Sequence, residues 1–222
     1  MLPYSIDIIY VTHKEMDEEK RKEIENNTPE AHVLIPTCQL GKSASINRNY
    51  GLENSTSEIF VMMDDDITGF YPGWLTDLVK PLIDNNTIII ASIRCLDKHR
   101  RIGSMMCTSG IPYDSGIYET KLCGYKNYKR VPTACLAIRK NDVRFDENFI
   151  GSGYEDTAFC NYISMIYPQK RIVINNNCKL IHLNEMQNQG GVYWEHNKNY
   201  YLSLFPDDTT IQRQTDWTKY RK

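Results

Sequence analysis

The chain has 222 residues, of which 41% are apolar, 24% charged and 11% aromatic. Those proportions suit one ordinary soluble domain and exclude disordered and fibrous classes. A formal charge of −2 excludes a broad polyanion-binding surface while leaving room for a local basic patch. No apolar stretch approaches the ~18 residues of a transmembrane helix, so no membrane span is expected. The opening MLPYSIDIIYVTHK has no basic start and carries an acid inside its apolar run; it reads as a first strand and not as a signal peptide. Seven scattered cysteines never form CxxC, which suits reduced, mostly buried thiols in a cytoplasmic protein better than a disulfide framework or a zinc site.

Strand and helix signals alternate through the first half. Ile6–Thr12 is a short β-rich run, and charged Lys14–Asn27 is helix-prone up to the break at Thr28-Pro29. Ala31–Pro36 reads as a second strand and Ser43–Asn54 as a second helix. Glu58–Met63 (EIFVMM) is a strongly apolar strand that runs straight into Asp64-Asp65-Asp66. Gly73–Ile83 suggests another helix and Thr87–Ile93 another buried strand. Such a βαβα order predicts an α/β chain with a mostly parallel sheet and helices on its faces. The middle, Arg94–Arg130, has mixed polarity and no sustained period, and reads as loops and short strands. Pro132–Arg139 is a further strand. Phe159, Tyr162, Ile163 and Ile166 share one helical face, so Glu155–Tyr167 is expected as an amphipathic helix. Arg171–Asn175 and Lys179–Leu183 read as short strands, and the tail from Asn184 is polar and aromatic without a clear period.

The triple acid is the loudest chemical feature. Like charges so close repel, so the arrangement needs a cation or deep solvation. Asp64–Asp66 sits at the carboxyl end of a buried strand, the edge where open α/β sheets hold ligands. Hard oxygen ligands at that spacing suit Mg²⁺ or Mn²⁺ bridging to phosphates; a solvated acidic turn is the plainer alternative. A calcium loop fits poorly, because the register starting at Asp64 puts Leu75 where the bidentate Glu belongs. Gly41-Lys42-Ser43 is not a P-loop, since Pro36 stands where the first glycine is required. Glu155-Asp156 opens a helix after the glycine-rich GSG approach. The helix dipole there favours carboxylates, either as a proton acceptor or as ordinary cap-like stabilisers. His182 ends the strand KLIHL, where a packed core histidine is the plain reading and a metal ligand the sharper one.

Taken in order, these pieces resemble the family 2 glycosyltransferases with the GT-A fold. The segments that carry the resemblance are IDIIYVTH, GKSASINRNYGLENSTSEIFVMMDDDI and FDENFIGSGYEDTAFC leading into NCKLIHL, together spanning most of residues 5–183. The resemblance implies one domain with a Rossmann-like nucleotide-binding half (about 1–93) on the mostly parallel central sheet, and a smaller irregular acceptor half (about 94–222). Position by position, it implies that Thr12 begins the nucleotide pocket and that Arg48 approaches the nucleotide. Asp64 faces the nucleoside or ribose, Asp66 binds Mn²⁺ or Mg²⁺, Asp65 supports it, and His182 completes the metal or diphosphate site. Asp156 matches the catalytic base, with Glu155 its neighbour near the acceptor. Trp74, Tyr193 and Trp194 are weaker candidates for stacking on sugar, with core packing the stronger reading.

The implied reaction is metal-dependent, inverting transfer of one sugar from a nucleoside diphosphate sugar, UDP-linked in the usual case, to a hydroxyl. A glycan is the leading acceptor, with a modified base in nucleic acid as an alternative. Many members carry a base-reading acid soon after the second strand, where this chain has PTCQL, so the nucleobase stays open. The chain also lacks the QxxRW phrase of processive synthases. Arg94, Lys98, His99, Arg100, Arg101, Lys121, Lys126, Lys129 and Arg130 give the middle a local basic excess. It reads as a solvated charged loop, a lid over the diphosphate or an acceptor platform. A nucleotidyltransferase-like enzyme and an inactive carbohydrate-binding relative are the rival classes. The first wants a glycine-rich phosphate loop that VTHKEM does not offer, and the second is disfavoured by the joint presence of Asp64, Asp66, Asp156 and His182.

Overall fold

The computed structural model describes residues 4–38, 41–99, 111–112, 114–120, 122–123, 128–183 and 189–212. In chain order the first half gives β1 (Ile6–Val11), α1 (Glu18–Asn26), β2 (Val33–Pro36), α2 (Ala44–Asn54), β3 (Ile59–Asp64), β4 (Ile67–Thr68), α3 (Trp74–Asp84) and β5 (Ile88–Ser92). The second half gives β6 (Ile117–Glu119), β7 (Leu122–Cys123), β8 (Tyr128–Lys129), β9 (Cys135–Arg139), α4 (Glu155–Ile166), β10 (Arg171–Asn175), β11 (Ile181–His182), α5 (Gln189–Leu204) and α6 (Thr209–Gln212). The first helix starts later than its charge pattern suggests because Asp17 caps it, accepting from the backbone N–H groups of Glu19 at 2.7 Å and Lys20 at 3.2 Å.

Seven strands form one sheet in the order β2-β1-β3-β9-β5-β10-β6. Strands β2, β1, β3, β5 and β10 point the same way. Only β9, inserted between β3 and β5, and the edge strand β6 run against them. The sheet is therefore mostly parallel, as expected. Its central strands are buried on both faces and alternate between two cores. Ile6, Ile8, Tyr10, Val61 and Met63 join Trp74, Leu75 and Leu78 of α3 on one side. Ile9, Val11, Phe60 and Met62 join Leu52 of α2 and Phe159 and Ile163 of α4 on the other.

Helix α3 contains Pro81, which has no N–H to give the carbonyl of Asp77 four residues earlier. The buried Asn175, at the end of β10, fills that role: its Nδ2 donates to Asp77 O at 2.7 Å. A side chain of the sheet thus replaces a missing bond of the helix.

The tail departs from its sequence reading. Without an apolar period it still forms α5 and α6, and Tyr201 of α5, Ile211 of α6 and Phe205 between them pack with Phe149, Tyr154 and Ala158. Arg130 ties this layer down, donating to Asp208 and, at 2.7 Å, to the Tyr201 hydroxyl, while Asn161 Nδ2 reaches that hydroxyl at 2.6 Å. The basic excess of the middle is in part an internal resource. Arg94 is buried and donates to the carbonyls of Ile111 and Pro112, and Lys129 Nζ donates to Lys170 O at 3.2 Å. Lys98 and His99 are exposed, whereas Arg100, Arg101, Lys121 and Lys126 lie outside the described residues. Among the described residues no helix is long and apolar enough to cross a membrane.

Candidate active site

In the order β2-β1-β3, the chain leaves β1 toward one neighbour and later returns on its other side. The carboxyl ends of β1 and β3 therefore face a crevice of the kind where open α/β sheets bind ligands. Residue pairing puts Val11 level with Asp64. The residues that follow both strands, Thr12-His13 and Asp65-Asp66, consequently meet over the sheet edge. Thr12 Oγ1 donates to Asp65 Oδ2 at 2.9 Å, His13 Nδ1 stands 3.4 Å from the same oxygen, and the Tyr10 hydroxyl donates to Asp65 O at 3.0 Å.

A small second sheet delivers the late histidine. After the acidic turn, β4 pairs antiparallel with β11 and sets His182 opposite Ile67. Leu183 N–H donates to Asp66 O at 3.1 Å, and His182 N–H to Leu96 O at 2.8 Å. These backbone bonds bring His182 Nε2 to 3.0 Å from Asp66 Oδ1. Asp64, Asp66 and His182 each offer one ligand atom, all within 4.8 Å of one another. Two carboxylate oxygens and an imidazole nitrogen suit Mn²⁺ or Mg²⁺ with coordination positions left for phosphate oxygens. Electrostatics agree with that fit. Burial pushes the Asp64 carboxyl up to about 6 despite the opposing pull of Arg48 and His182. Burial alone would lower the His182 imidazole, but its hydrogen bond to Asp66 and the charges of Asp66 and Asp64 raise it. The site is charged so that a divalent cation would relieve it.

Arg48 joins this cluster to the second half. It comes from α2, whose first turn is capped by Ser43, and its side chain is only 7% exposed. Nη2 donates to Asp64 Oδ1 at 3.1 Å, and Nη1 donates to Glu155 Oε1 at 2.7 Å. Glu155, itself buried, also accepts from the Gly153 N–H. Burial raises the Glu155 carboxyl, with Arg48 opposing that effect. The Glu155 carboxylate is therefore engaged by Arg48 and the Gly153 N–H and is not free. Asp156, next in sequence, is half-buried; its carboxylate accepts from Thr133 Oγ1 at 3.0 Å and from Thr157 N–H at 2.6 Å.

A cavity of about 310 Å³ opens at this place, at the small end of the ~300–1,000 Å³ usual for ligand sites. Thr12 and His13 follow β1 on its wall; Lys42, Asn47 and Arg48 come from α2 and its approach; Asp64, Asp65, Asp66 and His182 form the acidic side. Gly151 and Ser152 close it from the second half. Of the site residues expected from sequence, Thr12, Arg48, Asp64, Asp65, Asp66 and His182 thus share one wall. Glu155 is tied to that wall through Arg48, and Asp156 stands beside Glu155 without lining the cavity.

Two buried asparagines hold the segment from 145 to 152 against the cavity. Asn49 of α2 exchanges hydrogen bonds with the N–H and C=O of Phe145, each at 2.9 Å. Asn197 of α5 does the same for Ile150, at 3.0 and 2.8 Å. Sequence reading named neither as a site residue, nor His13, Lys42 or Asn47. His13, Lys42, Asn47 and Asn49 all stand inside the motifs quoted above, whereas Asn197 lies in the tail and carries no signal. Trp74 is wholly buried, as its core reading requires, and Trp194 packs edge-on against Tyr154 at 5.9 Å.

Residues 13–143 match the family model described as Glycosyl transferase family 2. No curated protein sequence matches the chain. Solved structures that are similar in fold include "Crystal structure of GalNAc-T7 with UDP, GalNAc and Mn2+", at 10% identity and a TM-score of 0.54, over 93% of this chain and 51% of that one. S. aureus TarS 1-349 aligns at 13% identity and a TM-score of 0.56, over 98% of this chain and 75% of its own. A longer S. aureus TarS aligns at 14% identity and a TM-score of 0.53, over 89% and 40%. The chain spans about half of the GalNAc-T7 chain. The shared architecture is the GT-A fold.

Proposed function

The chain belongs to glycosyl transferase family 2, and from that premise we propose that it moves one sugar from a nucleoside diphosphate sugar to a hydroxyl group, with inversion at the anomeric carbon. The observation that carries this reading is the Asp64–Asp66–His182 cluster at the sheet's switch point, joined through Arg48 to the helix start that bears Asp156. UDP is the first donor to try, because GalNAc-T7 has been crystallised with UDP, GalNAc and Mn²⁺.

In this reading Asp64, Asp66 and His182 hold Mn²⁺ or Mg²⁺, which when bound neutralises charge on the leaving diphosphate. Thr12 and Asp65 fix the nucleoside end of the cavity. Lys42, which also lines the cavity, offers a cation to the phosphates. Asp156, oriented by Thr133 and Thr157, takes the acceptor proton as the hydroxyl attacks, a step worth about 10²–10⁴-fold. Holding donor and acceptor in line accounts for much of the remaining acceleration.

The test is a donor panel of UDP- and GDP-sugars with Mn²⁺, scored for nucleoside diphosphate release with and without methyl glycoside acceptors. Asp156→Asn should lose transfer by at least two orders of magnitude while still binding donor by calorimetry. Near-normal turnover in that variant removes Asp156 as the base. Pyrophosphate release from a nucleoside triphosphate and a sugar 1-phosphate, with no nucleoside diphosphate released from any sugar donor, replaces sugar transfer with nucleotidyl chemistry.

A further inference from the structure

We propose that the acceptor docks as a pyranose ring on the exposed face of Tyr193, beside the cavity wall formed by Gly151 and Ser152. The proposal rests on the sugar-transfer reading above and adds to it the place where the acceptor ring is held.

Tyr193 is set apart from the other aromatic residues of its helix. Trp194 packs against Tyr154, Tyr200 lies edge-on to Phe149 at 5.0 Å and donates to Asp146, and Tyr201 is buried against Phe205. Among the described residues the Tyr193 ring has no aromatic neighbour or hydrogen bond, and it is 40% exposed. Its ring lies against a glycine. A Cβ on Gly151 would come within 2.8 Å of Tyr193 Cδ2, so the ring lies directly against the Gly151 backbone, and Gly151 itself lines the cavity. The preceding residue, Ile150, is 42% exposed, and Val192, before Tyr193, is 76% exposed. Large apolar groups left in water next to a polar cavity mark a binding surface.

This ledge is held firmly in place. Asn197, one turn along α5 from Tyr193, is fully buried and grips both polar groups of the Ile150 backbone, together with Ser152 O at 3.3 Å. From the far side, Ala44 N–H of α2 donates to Gly151 O at 2.8 Å. The ring and the cavity wall therefore belong to one rigid unit, five residues ahead of Asp156. A pyranose matches that surface: its C–H face covers an aromatic ring while its hydroxyl edge reaches the polar cavity. Among the described basic residues of the middle, Arg94, Lys129 and Arg130 are engaged with internal partners.

The experiment uses the full chain and saturation-transfer NMR with the methyl glycosides of glucose, galactose and N-acetylglucosamine, each without donor. At least one glycoside should receive saturation on its ring C–H protons. Its affinity should fall about tenfold in Tyr193→Ala, the size of losing one aromatic face, and should stay near wild type in Tyr193→Phe, which keeps the face. Ile166→Ser, at an exposed apolar position of α4, serves as the control and should change nothing. Equal binding in wild type and Tyr193→Ala overturns the ledge, as does a short oligonucleotide that outcompetes every glycoside for Tyr193. The separate donor-release assay tests the sugar-transfer reading. If wild type releases no nucleoside diphosphate from any donor while glycosides still depend on Tyr193, that reading fails and the ledge stands.

Discussion

Replacing Arg48 by Met keeps length and apolar volume but removes the cation shared by Asp64 and Glu155. The Glu155 side chain is 4% exposed and that of Asp64 28%, so Glu155 has no route to water that would replace the lost 2.7 Å bond. Breaking a buried pair from one side costs about 3–5 kcal/mol, because the remaining charge is stranded. For a chain of this size that lowers Tm by about 6–20 °C. The size of the loss should depend on pH. Burial already raises the Glu155 carboxyl with Arg48 present, and without the guanidinium it rises further. A carboxyl whose folded value lies above its unfolded value near 4.3 makes the protein less stable as pH climbs from the unfolded toward the folded value. Arg48→Met should therefore be closest to wild type near pH 5 and furthest from it near pH 8. Urea unfolding in metal-free buffer, for wild type, Arg48→Met, Glu155→Gln and the double variant, closes a mutant cycle. The double should be more stable than the sum of the singles by about 1–3 kcal/mol, the range of directly bonded partners. Additive losses, or a wild-type-to-Met gap that ignores pH, would refute the shared-cation account.

Other parts of the fold give equally sharp expectations. Burial pushes the Asp7 carboxyl up, but hydrogen bonds from Ser57, Ser55 and His32 outweigh it and the net shift is down. Asp7 thus contributes stability that is complete above its unfolded value near 3.9 and is lost as pH falls through the folded value. Asp7→Asn should cost about 1–3 kcal/mol at pH 7, and urea titrations should show that gap closing below about pH 3; a constant gap contradicts the assignment. Asn175→Ala leaves Asp77 O without its donor and should cost about 1–3 kcal/mol. In a Pro81→Ala background the restored N–H can reach that carbonyl, so the same substitution should cost clearly less, as read from denaturant midpoints.

Much of the site's first half was legible because its signals are local. EIFVMM had to be a buried strand, and a buried strand that ends in three acids can place them only at a sheet edge. The partner of those acids was less accessible. His182 looked like a core residue from KLIHL alone, and what brings it to Asp66 is the β4–β11 pairing, two residues long and without any pattern of its own. Asp156 was found through motif order, but its link to the acids runs through Arg48, whose two partners lie 16 and 107 residues away. The direction of β9 was also hidden, since alternation of strands and helices predicts parallel neighbours. Helix α5 escaped for a physical reason: two of its inward positions are Asn197 and Tyr201, both fully buried and both satisfied by hydrogen bonds. A helix that turns polar groups inward does not show an apolar stripe.

Tyr154, directly before Glu155, has φ of 69°, the left-handed region, and is the one non-glycine residue in the described chain to do so. For a side chain of that bulk the conformation costs about 1–2 kcal/mol, and the rings of Trp194 and Tyr201 on α5 brace it. The C-terminal helices thus serve as a splint for a sprung joint. Loosening them would remove that brace from the residue that leads into α4, next to Glu155 and the proposed base Asp156. Exchanging this tail between relatives would therefore also disturb the backbone that presents the proposed base.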